Sequence, residues 1–156
     1  MTPAIKAAEQ AEVCFSVHEY NHDPSAQGYG LEAAERLGLA PERVFKTLVV
    51  SLDQSLLAVA MVPVSASLNL KQLARAAGAK KAVMAEPKDV QRVTGYVMGG
   101  VSPLGQKKQL ATFLDDSARM YPTVFVSAGR RGLEIELEPD TLAELTQARF
   151  CDLQAD

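Results

Sequence analysis

A lysine set among apolar residues is the first group in this sequence with a chemical use. Lys46 stands in RVFKTLVV, between Val44 and Phe45 on one side and Leu48, Val49 and Val50 on the other. Lysine is almost never fully buried without a partner. Two placements satisfy that rule. Its stem can lie along the apolar surface with the ammonium in water, or the ammonium can meet an anion inside a pocket. Two glycine loops offer complementary chemistry: Gly99 to Lys108 reads GGVSPLGQKK, and Ser127 to Gly132 reads SAGRRG. Adjacent glycines let a backbone pass close to a ligand with unobstructed N–H donors, and Ser102-Pro103 then fixes the turn. One cation facing two sets of backbone donors suits the oxyanion that develops in acyl transfer. Taken alone, either loop is explained as an ordinary tight turn.

The rest of the inventory is informative for what it lacks. Gly100, Gly105 and Lys107 nearly spell a phosphate-cradling loop, but Gln106 sits where the lysine belongs, and Pro103 removes a backbone donor. There is no G-x-S-x-G, HExxH or CxxC pattern. Cys14 and Cys151 have no metal-ligand spacing, so neither a metal nor a cofactor is expected. Nothing cationic stands near Cys14, which reads as a structural thiol rather than a nucleophile. His22, before Asp23-Pro24, is either a base oriented by Asp23 or part of a turn, and turn chemistry is the better account. His18 shares a strand face with Ser16 and Tyr20, where it either lines a cleft or meets solvent.

The elements that must position these groups follow from periodicity and caps. Residues 2–12 predict a helix with Thr2 as N-cap and Pro3 at its first position. Val13, Phe15 and Val17 alternate with polar residues, which predicts a half-buried strand to about Tyr20. A turn over 21–30 leads to a helix over 31–38 ended by Gly38. Pro41 starts a short helical turn into a strand through VFKTLVVSL, with Leu56–Val64 as its partner across a turn at 53–55. Asn69 caps a helix ending at Gly78, a strand covers 81–84, and Pro87 opens another helix. Strands follow over 109–114 and 123–127. Leu133, Ile135 and Leu137 alternate with Glu134, Glu136 and Glu138 in a further strand. Asp140 is the expected cap of the last helix, before a closing strand at 150–153. The irregular mixture predicts an α/β protein: a single compact domain over residues 1–156, with a mixed β-sheet flanked by helices.

Bulk properties narrow the function classes. The chain has 156 residues, with 47% apolar and 22% charged, ordinary values for a soluble globular domain. Its longest apolar run, Leu56 to Val64, is far short of a membrane span and contains Pro63. The opening MTPAIKAAEQAE has no signal-like apolar stretch, so a cytoplasmic location and no membrane partner are expected. Charge is uneven. Residues 1–45 hold three basic and seven acidic groups, 46–131 twelve and five, and 132–156 one and seven. A basic middle suits a local grip on a phosphate backbone, unless folding interleaves the segments and evens the surface out.

Together, MTPAIK, HDP, VFKTLVV, GAKK, TGYVMGGVSPLGQKK and VSAGRRGLEIEL resemble the free-standing aminoacyl-tRNA editing proteins of the YbaK/EbsC type, over essentially the whole chain. The resemblance implies a mixed α/β fold that also occurs as an editing insertion in some prolyl-tRNA synthetases. It implies hydrolysis of cysteine wrongly esterified to proline tRNA, with the substrate's own thiol attacking the ester and leaving as a cyclic thiolactone. Such chemistry needs positioning more than an enzymic nucleophile, a metal or a cofactor. By the same resemblance Lys46 is catalytic, polarising the ester or positioning the terminal adenosine or phosphate. Tyr20 and Tyr29 line the pocket, and Gly99, Gly100 and Ser102 shape it with Ser127 and Gly129. Glu134 stands where an aspartate is expected. Lys107, Lys108 and Arg130 fall near the tRNA backbone. The implied partners are mischarged proline tRNA and prolyl-tRNA synthetase. A deacylase of other amino-acid specificity, or a non-catalytic tRNA- or synthetase-binding module, is the alternative.

Overall fold

A computed structural model describes residues 1–25 and 28–156. The chain opens on helix α1 (Pro3–Gln10) and strand β1 (Ser16–Glu19), then helix α2 (Tyr29–Leu37). A 3₁₀ turn at Pro41–Arg43 leads into the hairpin of β2 (Phe45–Leu52) and β3 (Leu56–Pro63). Helix α3 (Leu70–Ala77), β4 (Ala82–Met84), α4 (Pro87–Thr94) and β5 (Ala111–Asp115) come next. A 3₁₀ segment, Asp116–Met120, precedes β6 (Val124–Ser127), β7 (Leu133–Leu137), α5 (Pro139–Thr146) and β8 (Arg149–Cys151). No helix among the described residues is long and apolar enough to cross a membrane.

The mixed α/β architecture is the one expected, with its strands divided between two sheets. The five-stranded sheet runs β4-β2-β3-β5-β8, and the three-stranded one runs β1-β7-β6. β3–β5 and β5–β8 pair in parallel, and the other pairs are antiparallel. A single parallel bridge between Val44 and Phe125 joins the sheets at the amino end of β2. That seam matters, because it is where Lys46 lies.

β2 reads as an unbroken apolar run because both of its faces are covered. Phe45 and Val49 pack with Met61, Leu114, Ile135 and Leu142 in one cluster. Val50 packs on the other face with Ala60, Val62, Leu73 and Leu153. The helix starts at Thr2 and Asn69 are as predicted: each side chain accepts a hydrogen bond from the amide three residues on, at 3.2 and 3.0 Å. The last helix begins two residues earlier than predicted. Pro139 takes its first position, Glu138 stands at the cap without a side-chain bond, and Asp140 falls in the first turn. Proline at that position loses no hydrogen bond, and Asp140 still faces the positive end of the helix.

The first strand is a larger departure. Val13 and Phe15 are half-buried, but Val17 is 39% exposed, while His18 and Tyr20 turn inward. The alternation slips by one residue between Ser16 and Val17, which exchanges the two faces. His18 consequently neither opens onto a cleft nor stands free in solvent. Its Nε2 lies 2.8 Å from Glu136 Oε1, and its ring packs on Phe125.

Gly105 shows what the carboxyl-terminal half of the GGVSPLGQKK loop is for. Its φ is +66°, and a Cβ there would lie 2.5 Å from the carbonyl oxygen of Pro3. The loop is seated against the start of α1. Gly38 has a similar φ of +67° with nothing within 4 Å. Gly38→Ala is therefore expected to cost about 1–2 kcal/mol from left-handed backbone strain alone, and Gly105→Ala about 2–4 kcal/mol as the clash is added. Urea unfolding measures both. Equal losses would show that the loop yields freely at Pro3.

Candidate active site

The amino end of β2 opens into a cavity of about 410 Å³. Val44 to Val49 and Val64 form one side, and the start of α2, from Gly28 to Leu31, forms another. Gly30 permits that approach, because a Cβ there would collide with Val64. Met84, Ala85 and Val90 supply further apolar lining. The two glycine loops complete the wall through Met98, Gly99 and Val101 and through Ser127, Arg130 and Arg131. Leu31, Met84 and Met98 are each about half exposed, which gives the opening an apolar rim.

The loops meet each other. A Cβ on Gly100 would lie 3.0 Å from the Arg130 Cα. One on Gly99 would lie 2.7 Å from the Tyr29 ring and 2.9 Å from Arg131 Nε. The glycine pair thus serves close contact between protein segments. Two of the expected backbone donors are already engaged. Gly100 N–H donates to Val97 O at 3.0 Å, and Gly129 N–H donates to Ser127 Oγ at 3.1 Å.

Of the residues singled out from sequence, Lys46, Tyr20, Tyr29, Gly99, Ser127, Arg130 and Glu134 line this one cavity. Gly100, Ser102, Gly129, Lys107 and Lys108 do not. Ser102 is fully buried behind the loop, where its Oγ accepts from Leu104 N. Gly129 backs onto Tyr96 and Thr2, and the stem of Lys107 packs on Gly95. Lys108 lines a separate groove with Arg92, Phe113 and Arg149. Helix α4 explains the separation: Val90 faces the cavity, while Arg92 and Val93 face the groove.

Lys46 takes the pocket placement. It is half-buried and forms no ion pair among the described residues, and burial holds its ammonium below the usual lysine pKa. Beside it, the Thr47 hydroxyl is buried without a hydrogen-bond partner among the described residues.

Glu134 is the most perturbed group in the cavity. It is only 6% exposed. Burial pushes its carboxyl up to about 8, and no hydrogen bond or neighbouring charge offsets that. At neutral pH it is a neutral acid with an O–H to donate. The alternation of Leu133, Ile135 and Leu137 assigns Glu134 to a polar face, and that face is the cavity instead of solvent. Glu136, two residues on, shows the contrast. Hydrogen bonds from Thr123 and His18 outweigh its desolvation and hold it below the usual carboxylate range.

His22 belongs to the turn as expected, but its partner is Glu32 and not Asp23. His22 Nδ1 lies 2.8 Å from Glu32 Oε1, while Asp23 accepts from Ser25 N and Oγ. The remainder of that predicted turn, Ala26 and Gln27, lies outside the described residues. Arg131 was not legible as a site residue. Its guanidinium carbon lies 3.3 Å over the Tyr29 ring, and its Nη1 lies 3.3 Å from His22 Nε2. Cys14 is exposed, so it is not the packed thiol its sequence context suggested. No group of three or more His, Cys, Asp or Glu among the described residues is placed to hold a metal.

A family model for the aminoacyl-tRNA editing domain matches residues 24–145, a span that contains the cavity-lining Tyr29, Lys46, both glycine loops and Glu134. The chain belongs to the aminoacyl-tRNA editing family. It is 40% identical over 153 residues to EbsC of Enterococcus faecalis, a candidate Cys-tRNA(Pro)/Cys-tRNA(Cys) deacylase, covering 97% of this chain and 92% of that one. It is 31% identical over 115 residues to YwhH of Bacillus subtilis, covering 74% and 73%. A solved structure of a candidate trans-editing enzyme for prolyl-tRNA synthetase superposes with a TM-score of 0.85 at 26% identity, covering 99% of this chain and 96% of that one.

Proposed function

We propose that this chain, acting as a single domain, is a free-standing deacylase that removes cysteine from mischarged proline tRNA. The observation that carries the reading is a mostly apolar cavity with a half-buried lysine, a neutral carboxyl and no activated nucleophile. Its volume of about 410 Å³ falls within the roughly 300–1,000 Å³ of small-molecule sites. The two histidines are engaged by Glu136 and Glu32, and the Ser127 hydroxyl in the wall already accepts from Gly129 N–H. Among the described residues no base hydrogen-bonds that hydroxyl, so the usual activation of a serine nucleophile is missing.

The substrate then supplies the nucleophile. The cysteinyl thiol attacks its own ester carbonyl, a C–S bond forms, and the bond to the ribose oxygen breaks. The thiol proton ends on the released ribose hydroxyl, and the amino acid leaves as a cyclic thiolactone. Lys46 stabilises the oxygen on which negative charge develops, in a cavity whose low polarity strengthens that interaction. The apolar rim of Leu31, Met84 and Met98 receives the terminal adenine.

Specificity comes from chemistry more than from fit. A hydrophobic pocket distinguishes one methylene by only about 1–3 kcal/mol, whereas an alanyl or prolyl ester lacks the attacking group. Cys-tRNA(Pro) is expected to be hydrolysed at least about 100-fold faster than Ala-tRNA(Pro), beyond what that pocket difference alone supplies for most of its range. Equal rates would refute substrate-assisted cleavage. The choice of tRNA is assigned to docking on prolyl-tRNA synthetase in the cytoplasm. Failure of purified synthetase to retain this chain, with and without tRNA, would remove that partner.

A further inference from the structure

Arg130 and Arg131 both line the cavity without an ion pair among the described residues, and Arg131 is the one whose guanidinium is held in place. It is held from two directions. Its guanidinium carbon lies over Tyr29, 3.3 Å from the ring centroid. Its Nη1 approaches His22 Nε2 at 3.3 Å. His22 Nδ1 reaches Glu32 Oε1 at 2.8 Å, and Glu32 Oε2 accepts from Asp23 N at 2.9 Å.

The polarity of this chain is determined. Burial raises the Glu32 carboxyl, but the hydrogen bonds from His22 and Asp23 outweigh it and keep the pKa below the usual range. An ionised carboxylate only accepts, so His22 donates through Nδ1. A guanidinium only donates, so across the 3.3 Å contact His22 Nε2 accepts from Arg131. Glu32 orients His22, and His22 orients Arg131. Gly99 completes the arrangement, because any side chain there would enter the space of both Tyr29 and Arg131. Arginine has five N–H donors in a rigid fork matched to phosphate, and stacking on an aromatic face leaves the donor edge free.

We propose that Arg131 is a phosphate-binding residue of the cavity, taking the phosphodiester on the 5′ side of the tRNA's terminal adenosine, with His22 and Glu32 as its positioning pair. The identity of the ligand rests on the deacylase reading. The phosphate contact itself is read without any hydrolysis.

The test is calorimetric titration of the full chain with adenosine and with adenosine 5′-monophosphate. The monophosphate is expected to bind at least about tenfold more tightly, in line with one charge-assisted contact. Arg131→Ala should reduce that ratio below about twofold, and Arg131→Lys should restore only part of it. His22→Ala should narrow the ratio while leaving adenosine affinity unchanged, which mere loss of packing would not do. A wild-type chain with no preference for the monophosphate overturns the proposal. So does an Arg131→Ala variant that keeps the preference, and so does loss of the preference in Lys46→Ala alone. Inorganic phosphate at equal concentration should leave monophosphate affinity within about twofold. Erasure of the preference by it would mark a generic anion site and overturn the nucleotide assignment. A chain that shows the Arg131-dependent preference but leaves Cys-tRNA(Pro) intact would sink the deacylase reading and keep the phosphate site.

Discussion

Lys46→Ala is expected to slow single-turnover hydrolysis of Cys-tRNA(Pro) by about 10²–10³-fold, the loss typical when one preorganised oxyanion partner is removed. The size of the effect follows from what surrounds the lysine. Gly100 and Gly129 N–H are occupied by Val97 O and Ser127 Oγ, so neither of those two donors can take over charge stabilisation. Lys46 also contributes packing, because its stem lines the cavity on the same strand face as Val44 and Leu48. Lys46→Met keeps that stem and removes only the charge, so it should fold as the parent does and be as inactive as the alanine variant. Arginine keeps the charge but spreads it over a larger planar group, and partial activity is expected. The alkaline limb of the rate profile should fall at a lower pH than an ordinary lysine would give, since burial depresses this ammonium. A Lys46→Met variant with activity within threefold of the parent, roughly 0.7 kcal/mol, would remove Lys46 from the chemistry.

How far the sequence discloses this site depends on whether a residue's role is local. Thr2, Asn69, Pro41 and Pro87 act on their own turn of chain, and the elements they open form where the local pattern places them. Lys46 is legible for a related reason: a charge inside an apolar strand demands an exceptional setting wherever the strand goes. The glycine pair is legible as a special backbone, but its purpose is not. Whether Gly99 and Gly100 approach a ligand or another loop is settled by Arg130, Arg131 and Tyr29, which lie far away in the chain. Arg131 and Glu32 are hidden for the same reason. Their roles come from His22, 109 residues from Arg131 and 10 from Glu32. The slip in β1 is hidden too, because alternation alone does not say where a strand starts to pair.

Glu134 combines both difficulties, and its titration is the most direct check on the cavity. In β7 it alternates with Leu133, Ile135 and Leu137 as a solvent-facing residue would, yet it is buried with a carboxyl raised to about 8 from an ordinary 4.5. The native protein therefore holds a proton that the unfolded chain has lost between those two values. Stability from this group is fully present below about 4.5 and is lost as pH rises toward about 8, at up to about 1.4 kcal/mol per pH unit. The whole effect is roughly 5 kcal/mol, reached near the upper value and constant above it. Glu134→Gln removes the titration and keeps the shape. Its unfolding free energy, measured in urea at a series of pH values, should equal that of the parent near the lower end and exceed it increasingly through neutrality. The excess isolates Glu134 from every other titrating group, because those are common to both chains. If the two curves run parallel from about pH 5 to pH 9, the carboxyl is ionised in the native state. The cavity would then be wetter than its lining implies, and the low-polarity environment invoked for Lys46 would go with it.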